Sequence, residues 1–170
     1  MNNQTCCFFG HRDFLETEEL KNLLFRIVEN LILNKNVDTF LFGSKSKFDK
    51  TCLEVVTKLK EKYSHIKRIY VRASYQHIDD KYKNYLLETY DDTYFPQRVQ
   101  NAGKASYVLR NYEMIDNSTF CLCYYDENYL PQKRKNTILN DYQSKSGTAI
   151  AYDYAVRKKL FIINIFTMKE

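Results

Sequence analysis

Apolar and polar positions alternate along this chain in two rhythms. Short runs dense in apolar or β-branched residues fall at Thr5–Phe9, Asp38–Phe42, Lys67–Val71, Thr119–Tyr125 and Leu160–Phe166. The first, second and last are nearly continuous, as expected of strands covered on both faces. Between them, apolar residues recur at three- and four-residue steps. Glu16–Leu33 places Leu20, Leu23, Leu24, Ile27 and Leu31 on one helical face, and Phe48–Tyr63 does the same with Cys52, Val55, Val56 and Leu59. Lys104–Asp116 and Thr148–Lys159 read as two further helices. Strand–helix alternation predicts an α/β fold: a three-layer, Rossmann-like arrangement with a mostly parallel sheet of about five strands and helices on both faces. No repeat or linker divides the chain, so residues 1–170 read as a single domain.

Two stretches break the rhythm. Ser74–Ala102 is rich in tyrosine and charge, with a possible short helix at Asp79–Tyr90. Asp126–Ser146 holds Pro131 and the basic run Lys133-Arg134-Lys135. Both are long for connections in a compact domain, and long connections are often functional. The basic run reads as a solvated loop tip, with a phosphate lid as the sharper alternative.

Composition narrows the class. With 44% apolar and 15% aromatic residues the chain is no disordered segment. A net charge of +5 suits an anionic small ligand and argues only weakly for nucleic acid. The N-terminal apolar run Cys6–Phe9 is too short for a signal peptide or membrane span, so a cytoplasmic protein without membrane partners is expected. Five cysteines in no Cys-x-x-Cys pattern, and three scattered histidines, predict buried reduced thiols with no metal and no cofactor.

Glycine is the informative scarcity. Average usage near 7% would give about a dozen, and the chain has four: Gly10, Gly43, Gly103 and Gly147. No G-x-G-x-x-G or P-loop pattern is present, which excludes the standard dinucleotide and P-loop fingerprints. In so glycine-poor a chain, each is expected where a side chain would not fit. Gly10, Gly43 and Gly147 follow strands or open helices at the carboxyl edge of the predicted sheet, where open α/β folds bind ligands. Ser146-Gly147-Thr148 is the strongest single candidate, joining two hydroxyls to a helix N-terminus that suits phosphate. Gly103 reads as a helix-start turn.

Four motifs then occur in order: Cys6-Cys7-Phe8-Phe9-Gly10-His11-Arg12, Gly43 with Phe48-Asp49, Arg110-Asn111-x-x-Met114-Ile115-Asp116, and Ser146-Gly147-Thr148-Ala149. Together they resemble the SLOG superfamily, and within it the small YpsA-like proteins, over Thr5 to Ile165. That superfamily joins the LOG phosphoribohydrolases, DprA-type DNA-processing proteins and nucleotide sensors of bacterial conflict systems. The resemblance implies a nucleotide or nucleotide-derived ligand across the strand ends, and a homodimer or higher homo-oligomer. Arg110-Asn111-Tyr112-Glu113-Met114 resembles the LOG Arg-Lys-x-x-Met motif, with Asn111 in the lysine position. Gly147-Thr148 resembles the LOG glycine motif, but Ile150 and Ala151 stand where its catalytic glutamates would be. Breaking an N-glycosidic bond passes through an oxocarbenium-like state that a carboxylate stabilises. Without those glutamates the arginine and glycine loop can still hold phosphate, and Asp116, Asp126 or Asp153 would have to supply the missing group. YpsA-like members also carry small residues where this chain has Lys45 and Lys47. These lysines read as solvated, with added phosphate contacts as the alternative.

The candidate ligand-binding set is therefore Gly10, His11, Arg12, Gly43, Ser44, Asp49, Arg110, Asn111, Ser146, Gly147 and Thr148. Arg110 reads as a phosphate clamp, with a surface helix arginine as the alternative, and is the residue that would act in catalysis if there is any. His11 reads as a ligand contact, a cap or a buried histidine; Asp49 reads as a cap or a ribose contact. The Tyr82–Tyr94 segment offers rings for base stacking. Binding or sensing of an ADP-ribose-like ligand or nucleoside phosphate is the leading expectation. A LOG-like N-glycosidase with a non-standard carboxylate is the first alternative, and single-stranded nucleic-acid binding in the DprA manner is the second.

Overall fold

The structure, a computed structural model, describes residues 2–131 and 145–168. The run Lys133-Arg134-Lys135 lies outside the described residues. Six strands form one all-parallel sheet: β1 (Gln4–Gly10), β2 (Val37–Phe42), β3 (Lys67–Val71), β4 (Asp92–Tyr94), β5 (Phe120–Tyr124) and β6 (Phe161–Asn164). Their spatial order is β4-β3-β2-β1-β5-β6. The helices are α1 (Glu18–Lys35), α2 (Lys47–Lys62), α3 (Asp80–Leu87), α4 (Ser106–Asp116) and α5 (Gly147–Arg157). The chain thus builds outward from β1 to β4, then returns to pair β5 with the other side of β1.

Alternation along β1 and β5 divides the core in two. Cys6, Phe8, Phe120 and Leu122 join Leu24, Leu31, Phe48 and Leu59 of α1 and α2 in one layer. Cys7, Phe9, Cys121 and Cys123 join Met114 of α4 and Ala151 and Ala155 of α5 in the other. All five cysteines are free and buried. Burial pushes the thiols of Cys6, Cys7 and Cys52 well up, so they pack as small apolar side chains. Helix starts follow the expected chemistry: the hydroxyls of Thr17, Ser46 and Ser146 accept from Leu20, Asp49 and Ala149 N–H at α1, α2 and α5.

Two strands differ from the pattern-based expectation. β4 is a sixth strand at one edge, only three residues long, and its Thr93 Oγ1 donates to the Tyr70 carbonyl of β3. Its sequence, Asp-Thr-Tyr, is too short and polar to show a period. β6 was expected to be covered on both faces, yet Phe161 is exposed. It is the opposite edge, with β5 as its neighbour. β5, less continuous in sequence, is the strand buried along its whole length.

The glycines separate into distinct roles. A Cβ at Gly10 would lie 2.4–2.6 Å from the Phe48 side chain, and one at Gly43 would lie 2.7–2.8 Å from Arg110. Gly103 takes a left-handed φ of 55°. Gly147 departs from expectation: a Cβ there meets nothing within 4 Å. Gly10→Ala should therefore cost about 1–3 kcal/mol by overpacking. Gly147→Ala should raise stability by ~0.4–1 kcal/mol through the unfolded chain. Urea unfolding of the two variants checks both signs.

Candidate functional site

At the carboxyl ends of β1, β2 and β3 the structure opens into a cavity of about 640 Å³. Its cations are Arg12, Lys45, Lys47, Arg72 and Arg110; its rings are Tyr70, Tyr75, Tyr82 and Tyr107. No carboxylate lines it among the described residues.

The wall after β2 is a short loop built around one peptide unit. The carbonyl of Gly43 accepts from Arg110 Nη1. The N–H of Ser44, at the other end of the same peptide, donates to Asp49 Oδ2 at 2.9 Å. Ser44 Oγ then accepts from Ser46 N–H at 3.0 Å, and Ser46 Oγ caps α2 at Asp49 N–H. The guanidinium also reaches the Val71 carbonyl at 3.5 Å, and its Nε donates to Asn111 Oδ1 at 2.8 Å. One arginine from α4 thereby ties together the ends of β2 and β3.

Burial governs the charges here. Arg110 is 4% exposed and Arg72 is 8% exposed. Neither joins an ion pair among the described residues. Arg72 Nη1 donates to the Tyr75 carbonyl at 2.5 Å, while its buried Nε has no partner. Burial lowers the pKa of both guanidiniums, and the charge of Asp49 partly offsets this at Arg110. Arginine nonetheless stays protonated. Asp49 is pushed up to about 7 by burial, against the attraction of Arg110 and the N–H groups of Ser44 and Gly43. Its Oδ1 is buried without a partner.

Of the candidate residues, the cavity brings together Arg12, Gly43, Ser44 and Arg110. Asp49 and Asn111 bond to that group from outside the lining. Gly10 gives its space to Phe48. His11 sits elsewhere: its Nε2 accepts from Asp126 N–H at 3.0 Å and its ring stacks on Tyr129 at 4.0 Å. Burial lowers the His11 pKa, which favours that neutral form. Ser146, Gly147 and Thr148 open α5 and are not in the lining. Lys45 and Lys47 are in it, although exposed. Arg72 and Tyr107 also line the cavity and belong to none of the four motifs. Arg72 directly follows β3, as Gly43 follows β2, and Tyr107 precedes Arg110 by one helical turn; both positions carried a usable signal.

A family model named YpsA, described as the YspA SLOG family, matches residues 3–157. The chain belongs to this SLOG family. No curated protein matches it. The SLOG match contains the whole cavity, from Arg12 to Arg110, and membership points to a nucleotide-related, Rossmann-like function. Ala151 is fully buried in the core layer under α5, and Ile150 lines an outer depression away from the cavity.

Asp49 makes this SLOG site sensitive to pH. It holds its proton more tightly folded than unfolded. Its contribution to stability is therefore full below the ordinary value of 3.8 and is lost as pH rises through about 7. Urea unfolding should show wild type losing a few kcal/mol relative to Asp49→Asn across that window.

Proposed function

We propose that this SLOG protein binds a nucleotide or nucleotide-derived ligand, such as an ADP-ribose-like molecule or a nucleoside phosphate, with its phosphate in the cavity beyond β1, β2 and β3. The observation that carries this is the pair of buried guanidiniums, Arg72 and Arg110, facing one cavity that no carboxylate lines among the described residues. A buried charge is costly unless it is paired. Here carbonyls satisfy part of each guanidinium, and a phosphate group would supply the missing charge and bidentate acceptors. Arg12, Lys45 and Lys47 add exposed positive charge at the rim. The volume falls within the range of small-molecule sites, roughly 300–1,000 Å³.

Binding without cleavage is the better-supported form of this reading. N-glycoside hydrolysis asks for a carboxylate at the reacting carbon. The nearest one in the hydrogen-bond network, Asp49, is buried behind Ser44 and outside the lining.

ADP-ribose, ADP and AMP, each near one hundred times its Kd, test the reading by thermal melting. A bound ligand at that excess adds about 2.7 kcal/mol, which moves the midpoint by several degrees for a chain of this size. Arg12→Ala and Lys45→Ala should weaken binding severalfold and leave the ligand-free midpoint unchanged. A panel that moves no midpoint in the folded protein would sink the proposal.

A further inference from the structure

We infer that Tyr75 and Tyr107 hold the flat base of the ligand, so that the cavity selects nucleotides over the same phosphates without an aromatic base. This rests on the anion-binding reading above and adds the class of molecule that carries the anion.

Each of the two tyrosines is coupled to one of the two buried arginines. Tyr107 lies one turn before Arg110 on α4, and the Arg110 guanidinium sits 5.7 Å from its ring centroid. Tyr75 offers its backbone carbonyl to Arg72 Nη1. Both rings line the cavity, yet Tyr75 is 71% exposed and Tyr107 is 62% exposed. Each ring thus keeps surface exposed to a flat partner, beside cations placed for its phosphate.

Tyr75 also adopts a conformation that its residue type disfavours. Its φ is 58°. Asn36, Asn101 and Lys159 take the same left-handed region, which asparagine tolerates and which is least usual for a bulky aromatic. Arg72 holds the strained turn, and strain of this kind gathers at ligand clamps. The ring of Tyr82, itself in the cavity lining, meets Tyr75 edge-on at 5.9 Å, and Tyr85 stacks on Tyr82 at 6.1 Å. That array borders the exposed ring. Stacking on tyrosine tolerates any base, because every base presents a π-face. The preference is accordingly for an aromatic base as such.

Calorimetric titration of the full chain with ADP and with inorganic pyrophosphate separates the two claims. Wild type should prefer ADP by about tenfold or more, the worth of a base–aromatic stack. Tyr107→Leu and Tyr75→Asn should each cost about tenfold in ADP affinity and leave pyrophosphate within about twofold. Both rings are exposed and asparagine relieves the left-handed strain at position 75, so the melting midpoint should hold for Tyr107→Leu and hold or rise for Tyr75→Asn. If one variant fails to fold, the other carries the test. Equal wild-type affinity for ADP and pyrophosphate, or variants that lose both or neither, would overturn the base-binding role and leave anion binding standing. A single-stranded oligonucleotide bound more tightly than ADP would overturn the assignment to a free nucleotide. Binding of neither small probe would overturn the anion-binding reading, and this one with it.

Discussion

The peptide unit joining Gly43 to Ser44 stands between two buried opposite charges, Arg110 on its oxygen and Asp49 on its nitrogen. The arrangement follows the dipole of the peptide, so each charge meets the end that stabilises it. It depends on residue 43 having no side chain, because a Cβ would lie under 3 Å from the guanidinium. With the arginine seated, α4 from one side of the sheet is fastened to the ends of β2 and β3, and the loop is fastened to α2 on the other side. The cavity exists because these three connections meet at one point.

That geometry also decides the sign of the cavity. Asp49 is spent on the Ser44 amide and partly neutralised by its own burial. Arg110 keeps its charge and borders the cavity, with Arg72 following the strand whose carbonyl Arg110 touches. Positive charge is therefore concentrated on the solvent side and negative charge is hidden behind the loop. A neutral or cationic ligand would leave the two guanidiniums without a counter-charge in the cavity. An anion would not.

The α/β class, the parallel sheet and the two-sided covering were legible because the period changes cleanly between strands and helices. The short β4 was not, since three residues carry no period, and the exposure of β6 was not, since edge position is a property of strand order. Within the site, Gly43 and Arg110 were legible through motif and position. Their direct contact spans 67 residues and could not be read from either one. Arg72 sits in no motif, and only the rule that ligands gather after parallel strands would have singled it out. The glycine at 147 shows the limit of scarcity as an argument. A rare residue type is informative only where something occupies the space its side chain would have filled.

Strand order alone would place the opening at the reversal between β1 and β5. Part of that crevice is filled from within the chain. His11 leaves β1 and bonds to the backbone of Asp126 beyond β5, and Tyr129 closes over its imidazole ring. Tyr129 Oη in turn donates to Asp13 at 2.9 Å, so the closure is held from both sides. On the other flank of β1, Gly10 admits Phe48 and Gly43 admits Arg110. The two glycines draw α2 and α4 close to the strand ends without filling the space above them. The opening is thereby displaced toward β2 and β3, where the tyrosines of the long connection after β3 can border it. A connection that is long for a compact domain becomes one wall of the cavity through that displacement.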